Sequence, residues 1–526
     1  DLKVEARGTL NPASPSGSVA ITGTLDGQPL SGNATVETLD NGDRRITDLA
    51  IRQGPNSITG DLRLTDAFAP VGTLAIDVSD IGPLAALGSL DASGDVVGQV
   101  DLTVENDGMP VAAIDLTGER LSVAGNTLDG ARIDLSVKDY LGIPRPTGTV
   151  TARAIAAPGI AVSDLEVALR EDEQGTDLVA EAKVNAVPFA LAGNMLFEPD
   201  TTLVRLTRLT ADIENAAIRL AEEAIVRIEG GVTTLSGIRV DVGDGDLSLD
   251  GSAGESLDLA LRLTDVPAAA ANPFVPGLAA AGTIGGTATV SGAANDPAAT
   301  FAIIGTDLAV ASSRAASVPA IQANLTGSYA GGTLTLQTAR LDLGDGSLDA
   351  SGTIGDQLDL EVAMDSVPVA LANGFVDGLD AEGTLTGTAT ATGPRSDPQA
   401  TFALSGTGIT AEEIAAAGID PLTLDVAGAY ADGTATLDRA ELIVGDGSLS
   451  ASGTVGEELD IELAMRRLPV GLVNGFVPGL DASGTLSGTA SASGSTIAPE
   501  AVFDVSGTGI TTRQIARSGV APLALR

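Results

Sequence analysis

The chain has 526 residues and a formal net charge of −42, and 44% of its residues are hydrophobic although only 2% are aromatic. A surface this negative repels nucleic acids and anionic membrane headgroups, so neither is an expected partner of the exterior, while the apolar content argues against an acidic disordered tail. The absence of His and Cys removes imidazole bases, thiol nucleophiles and zinc sites of the usual ligand types. The many carboxylates alternate along strands, as solvent-facing groups do and as a paired-carboxylate hydrolase would not require, so we predict no enzyme activity, no metal site and no cofactor.

Residues 1–235 alternate between apolar and polar side chains, which predicts strands with one apolar face. Loose similarities to the later sequence start near Gly54 and Leu90. We interpret 1–235 as diverged modules of one architecture. The apolar positions predicted to line its face are Leu74, Ile76, Val78, Val100, Leu102, Val104, Ile133, Leu135 and Val137.

From residue 236 onward the sequence repeats every 101 residues, a sign of tandem units. The triplet Gly-Asp-Gly starts at Gly243, Gly344 and Gly445, and the motif Asn-x-Phe-Val-x-Gly-Leu starts at Asn272, Asn373 and Asn474. The predicted repeats are 236–336, 337–437 and 438–526, of which the third is truncated. The strand-like start and the interrupted last repeat lead us to expect a piece of a longer protein.

Each repeat contains one strand whose apolar residues alternate with carboxylates and small residues. These apolar positions, predicted to line the same face, are Leu257, Leu259, Leu261, Leu263, Leu358, Leu360, Val362, Met364, Leu459, Ile461, Leu463 and Met465. One Gly-Asp-Gly per 101 residues is too sparse for glycine–aspartate calcium repeats, which iterate every nine residues. We interpret the triplets as hairpin turns.

Short helices are predicted where the alternation stops. Segments 265–278, 366–379 and 468–480 each combine a proline near the start, a helix-compatible middle and a glycine near the end. Segment 409–419 is predicted to add one or two helical turns.

Three architectures fit a β-rich chain with this period. The first is an array of β-sandwiches of about 100 residues each, which would act as an adhesin or stalk. The second, a β-helix, requires a shorter internal period that the sequence lacks. The third, which the scarcity of aromatic core residues favours, is one continuous all-β fold. It is a long, open, curled antiparallel sheet with an apolar concave face, an acidic exterior and a few short helices.

The repeat resembles those of TamB-type translocation and assembly module proteins in the AsmA-like superfamily. The resemblance rests on the order of five pieces: GDGSLDASG, GDQLDLEVAM, VPVALANGF, GTLTGTATATG and a following DPQATF, with their counterparts 101 residues away. It is clear over 236–526 and faint over 1–235.

This resemblance implies a bridge-like lipid carrier in the periplasm of a Gram-negative bacterium. Such a carrier has an inner-membrane anchor, a β-taco with a hydrophobic groove for phospholipid, and a C-terminal domain that engages a TamA-like outer-membrane barrel. It implies roles in lipid transport and in outer-membrane biogenesis and protein assembly. We expect the anchor and the partner domain to lie outside this chain.

Overall fold

The computed structural model describes the chain except residues 1, 10–15, 26, 67, 88–90, 124–125, 158, 316, 375–378, 412–413, 416–417, 475–476, 478 and 526. The fold is an open, curled antiparallel sheet with short helices, as predicted. Contacts divide the chain into two units. The N-terminal unit is Asp1–Glu255 with Pro273–Pro276, and the C-terminal unit is Ser256–Asn272 with Gly277–Arg526. The predicted repeat boundaries stay a prediction.

The N-terminal unit is a succession of antiparallel strands with one short helix, α1 (Gly82–Leu87). Its strands are β1 (Leu2–Thr9), β2 (Ser16–Leu25), β3 (Gln28–Thr38), β4 (Arg44–Gln53), β5 (Asn56–Leu64), β6 (Pro70–Val78), β7 (Ala92–Gly94), β8 (Val96–Val104), β9 (Pro110–Val123), β10 (Asn126–Lys138), β11 (Arg145–Ala157), β12 (Ile160–Asp172), β13 (Gly175–Val184), β14 (Val187–Phe197), β15 (Thr201–Ala211), β16 (Ile218–Leu220), β17 (Ala224–Glu229), β18 (Val232–Val242) and β19 (Gly245–Ala253).

The C-terminal unit continues the same pattern with regular spacing. Its strands are β20 (Ser256–Pro267), β21 (Ala281–Ala293), β22 (Asp296–Ala309), β23 (Ile321–Ala330), β24 (Thr333–Leu343), β25 (Gly346–Ile354), β26 (Gln357–Pro368), β27 (Glu382–Pro394), β28 (Gln399–Thr410), β29 (Leu422–Ala431), β30 (Thr434–Val444), β31 (Gly447–Val455), β32 (Glu458–Pro469), β33 (Ser483–Ser495), β34 (Glu500–Thr511) and β35 (Leu523–Leu525). The α-helices of this unit whose residues are all described are α2 (Ala311–Ala315) and α3 (Arg513–Arg517).

The 101-residue period corresponds to six strands. β26 begins and ends 101 residues after β20, and β32 does so after β26. Six strands at ~4.8 Å spacing span about 29 Å of sheet. In the described residues of this unit each strand pairs with the next, so the repeats extend one sheet and do not form separate sandwiches.

Glycines inside the strands allow the sheet to bend. Gly352 and Gly387 have φ of +123° and +156°, a region that residues with a Cβ rarely adopt. A Cβ on Gly387 would lie 2.1 Å from the carbonyl oxygen of Ala403 on the neighbouring strand. Glycine kinks and β-bulges are the devices that curve a sheet, and each repeat contains both.

The Gly-Asp-Gly triplets are hairpin turns, as predicted. Gly344 and Asp345 connect β24 to β25, and Leu343 pairs with Gly346. The φ of Gly344 is +75°, which a two-residue hairpin turn requires at its first central position in the type II′ form.

The predicted helices are present but shorter than expected. They are the 3₁₀ helices Ala268–Ala271, Val369–Gly374 and Val470–Asn474. The prediction began them too early because the strands continue through Pro267, Pro368 and Pro469, which still pair with the next strand. Residues 375–378, which include Phe375, and parts of 409–419 and 468–480 lie outside the described residues.

Candidate functional site

One face of the C-terminal unit collects all the predicted lining residues of the three repeats. Residues directly opposite each other in an antiparallel pair point to the same side of the sheet. From Leu263, successive opposite residues lead to Val362 and then to Ile461. The path is Leu263, Gly286, Ile303, Leu325, Ala339, Ala350, Val362, Ala389, Phe402, Gly428, Leu437, Gly453 and Ile461. The predicted residues therefore share one face, which we name the apolar face.

The path also reveals a stagger between the ladder and the sequence repeat. It advances 99 residues from Leu263 to Val362 and again to Ile461, whereas the sequence repeats every 101 residues. Each repeat is thus offset by two residues along the strands. Because the side-chain period of a strand is also two, this offset leaves the apolar residues on the same face.

The apolar face contains no charged side chain at any position that the ladder pairs onto it between β20 and β34. Its residue types are Gly, Ala, Val, Leu, Ile, Met, Phe, Pro and Tyr. The only polar side-chain atoms at these positions are the hydroxyl groups of Tyr329 and Tyr430. A face this uniform suits hydrocarbon.

Burial separates the two faces along β20 and β26 but not along β25, where residues 347–354 are half-buried on both faces. Leu358, Leu360, Val362 and Met364 are half-buried, whereas the alternating residues Asp359, Glu361, Ala363 and Asp365 are exposed. The same contrast holds along the predicted residues of β20. In the described part of this unit the strands form one layer. The partial cover therefore comes from neighbouring side chains of the same face and, at one end of the strands, from the short helical connections.

The apolar residues predicted in the N-terminal unit also converge on one face. Leu74 lies opposite Val100, Val100 opposite Ile114, and Ile114 opposite Leu135. Among the predicted residues of this unit, Val78 and Leu102 are buried, with 3% and 9% exposure, and the others are half-buried.

Sequence reasoning missed part of this lining. Val367 is only 5% exposed, and it lies on the apolar face because a bulge between Met364 and Val367 adds one residue to the strand. Ser366, with a φ of +52°, lies in this bulge. Phe402 and Leu404 on β28 were also missed, although their alternation with Thr401 and Ala403 was a usable signal.

A buried cluster lies at one end of the strands, where the short helical connections pack against β24 and β26. Val318, Leu343 and Val367 are buried together, and Leu371 of the 3₁₀ helix packs against them with Ala370. Asn373 of this helix forms two hydrogen bonds with Ala381: its side chain donates to the carbonyl oxygen at 3.0 Å and accepts from the N–H at 2.8 Å. The same pair of hydrogen bonds recurs 101 residues away in both directions.

The opposite face is polar. Arg340 forms an ion pair with Asp349 on the next strand at 3.0 Å, and the hydroxyls of Thr390 and Thr401 lie 2.7 Å apart. Two equivalent hollows, of about 560 and 490 Å³, lie on this side and are rimmed by Ser, Thr and carboxylate side chains. A twisted sheet is saddle-shaped and so is concave on each face. The apolar face therefore differs from the polar face in its side chains and not in being concave.

Metal-binding clusters and membrane-spanning helices are absent from the described residues. No group of three or more carboxylates there is placed to hold a metal ion. No helix in that part of the chain is long and apolar enough to cross a membrane. In comparisons with known proteins, no family model matches the chain and no curated protein is similar to it.

Proposed function

We propose that the chain is a bridge-like carrier that holds the acyl chains of phospholipids against its apolar face. The observation that carries this proposal is the uninterrupted series of apolar residues, without a charge, at every paired position of that face from β20 to β34. Each methylene removed from water contributes about 0.8 kcal/mol, so such a face offers lipid tails an environment that water does not.

Regular repetition favours movement along the face over tight binding at one place. Leu259, Leu360 and Ile461 occupy the same position in successive repeats, and all three are half-buried. A hydrocarbon chain that moves from one of these positions to the next meets nearly the same contacts and therefore nearly the same free energy. Similar free energies at successive positions mean that no single position on the path holds the hydrocarbon chain much more tightly than the next.

The ordered sequence pieces and the β-sheet architecture support placing the chain among TamB-type carriers. On this proposal it acts in the periplasm of a Gram-negative bacterium, between an inner-membrane anchor and a TamA-like outer-membrane barrel. Its role there is to supply phospholipid for outer-membrane biogenesis and protein assembly. The acidic polar face keeps so large an apolar structure soluble in water.

The experiment measures phospholipid bound to the purified chain by mass spectrometry. In the test variant, Leu259→Arg, Leu360→Arg and Ile461→Arg place three cations on the apolar face. In the matched control, Ala260→Arg, Glu361→Arg and Glu462→Arg place them one residue away, at exposed positions. An Arg in hydrocarbon is unfavourable by about 2.5–3.5 kcal/mol, so we expect bound lipid to fall about tenfold or more in the test variant only.

Circular dichroism accompanies the lipid measurement and checks that both variants keep their β-sheet signal. Equal lipid content in the two variants contradicts the proposal. So does a purified wild-type chain that carries no lipid, or a test variant that unfolds while the control folds, because unfolding indicates a packed protein core at these positions.

A further inference from the structure

One phenylalanine per repeat lies on the apolar face, away from both ends of its strand. Phe301, Phe402 and Phe503 are 101 residues apart, and each lies opposite an alanine of the preceding strand. Phe402 is on the path of opposite residues that leads from Val362 to Ile461. Hydrocarbon that follows this path therefore has to pass an aromatic ring in each repeat.

On the following strand the first two of these rings meet a glycine. Gly327 lies opposite Phe301, and Gly428 lies opposite Phe402. Neither glycine has a positive φ, so the backbone conformation does not require glycine at these positions. A Cβ on Gly327 would lie 2.4 Å from Cζ of Phe301, and one on Gly428 would lie 3.0 Å from Cζ of Phe402. The tip of each ring therefore occupies the space in which a side chain of the next strand would begin.

This contact fixes the orientation of the rings. Side chains of a strand usually stand roughly perpendicular to the sheet. A ring whose tip lies beside the backbone of the next strand is tilted toward the sheet instead, and it covers the gap that the glycine leaves. An upright phenylalanine would project farther from the sheet than the Val and Leu side chains of the same face. The tilt therefore keeps the ring out of the space above the face.

The third phenylalanine shows what the following strand contributes. Phe301 and Phe402 are half-buried, whereas Phe503 is 70% exposed. In the described residues β35 pairs with β34 only at Gly507 and Ile510, so no residue lies opposite Phe503 on that side. All three phenylalanines have the alanine of the preceding strand, so the glycine-bearing strand is the one that covers the ring.

We propose that the pairs Phe301–Gly327 and Phe402–Gly428 keep the apolar face open for the passage of hydrocarbon from one repeat to the next. Each glycine is a positioning residue, because its missing side chain lets the ring lie down. The lowered ring then offers the tail an apolar surface and does not obstruct it. This inference rests on the proposed function and adds the residues that decide whether a tail passes a repeat.

The test separates passage from binding by detecting lipid at two points of the face. The chain is attached through a C-terminal tag to donor vesicles of radiolabelled phosphatidylcholine. A photoreactive amino acid at Ile461 reports tails before they reach Phe402, and one at Leu360 reports tails that have passed it. Illumination at successive times measures when labelled lipid arrives at each position.

The test variant Ala389→Phe, Phe402→Ala exchanges the two residues and preserves the composition of the face. Residue 389 lies opposite Val362 and residue 402, so the moved ring has no glycine beside it. We expect arrival at Leu360 to slow about tenfold or more, the equivalent of lost contact for about two methylenes, and arrival at Ile461 to stay unchanged. The control Phe402→Leu, a residue type common on this face, should leave both arrival times within about twofold of the wild type.

A second pair of variants covers the case in which the exchange variant loses its β-sheet signal in circular dichroism. These are Gly428→Ala and Gly428→Ala, Phe402→Leu. In both, the new methyl group approaches the carbonyl oxygen of Thr436, so any difference between them isolates the ring. We expect arrival at Leu360 to be at least about fivefold slower in the single variant than in the double variant.

The outcomes separate this inference from the proposed function. No labelled lipid at either position contradicts both. Lipid that arrives at Leu360 equally fast in the exchange variant and the control, a delay that is equal at Ile461 and Leu360, or an equal delay in the two Gly428 variants overturns the role of the pairs alone and leaves lipid carriage standing.

Discussion

The two units of the chain build the same kind of face by different means. In the C-terminal unit strands, bulges and turns recur at 101 residues, whereas the pairing order of the N-terminal unit is irregular: β6 pairs with β8, and β15 pairs with both β16 and β17. In both units, opposite residues place the predicted apolar side chains on one side of the sheet. Both units therefore retain the alternation that places apolar residues on one face, and not the sequence motif, which is what the proposed contact with flexible hydrocarbon requires.

The largest expected loss of stability comes from replacing a glycine within a strand, and both units contain such glycines. Gly98 and Gly387 have φ of +154° and +156°, and a Cβ there would lie 1.9 Å and 2.1 Å from a carbonyl oxygen of the next strand. We expect Gly98→Val and Gly387→Val each to destabilise their surroundings by about 3 kcal/mol or more, measured by hydrogen exchange of the adjacent strands.

Gly331→Ala is the control for these glycine variants. Its φ is +54°, but a Cβ would contact no atom within 4 Å. The expected loss is about 1 kcal/mol, from backbone strain alone. If Gly98→Val behaved like this control while Gly387→Val did not, bending at glycine would be a property of the regular repeats only.

A smaller loss of stability is expected from a change in the 3₁₀ helix Val369–Gly374 of the C-terminal unit. Asn373→Ala removes two hydrogen bonds to Ala381, which is 4% exposed. The expected loss is about 1–2 kcal/mol, which corresponds to roughly tenfold faster hydrogen exchange of the Ala381 amide. Asn324→Ala, at an exposed position of β23, should leave that amide unchanged. Equal exchange rates of the Ala381 amide in the two variants would show that the hydrogen bonds of Asn373 do not stabilise this segment.

The smallest expected loss of stability comes from removing an ion pair in the N-terminal unit. Lys138 donates to Glu171 at 2.8 Å, and this hydrogen bond is the main cause that lowers the pKa of Glu171 and raises the pKa of Lys138. The Glu171 contribution is present above the ordinary carboxyl pKa and is lost as pH falls through the lowered pKa. The Lys138 contribution is present below the ordinary amine pKa and is lost as pH rises through the raised pKa.

Glu171→Gln should therefore lower the melting temperature by about 1–2 °C at neutral pH and have a smaller effect in acid. Thermal melts of both proteins at several pH values measure this difference. A pH-independent difference would show that the glutamate acts through packing and not through its charge.

Alternation alone predicted the β architecture and the face to which Leu358, Leu360, Val362 and Met364 belong. It did not predict that Val367 lies on this face. A bulge at Ser366 adds one residue to the strand, so the residues that follow it point to the opposite side from the one that alternation predicts. Serine is a residue type that gives no clear signal of a bulge. Alternation also did not show that glycines and alanines form part of the apolar face. Gly387 and Ala389 lie opposite Met364 and Val362, and their place on the face became visible only through strand register.

The sequence also did not predict where the short helices begin. Segment 366–379 has a helical composition, yet Val367 and Pro368 pair with Leu385 and Thr384 of the next strand. Tertiary pairing overrides a weak local preference, so the helix begins only after the strand hydrogen bonds end.

The central claim, that the apolar face and not the polar face holds acyl chains, is tested most directly by site-specific photocrosslinking in cells. A photoreactive amino acid is placed at Val362 on the apolar face and at its exposed neighbour Ala363, and likewise at Leu135 and its exposed neighbour Asp134. The account predicts phospholipid adducts, detected by mass spectrometry, at Val362 and Leu135 and none at the two neighbours. Adducts of equal yield at both members of a pair, or at neither, would contradict it.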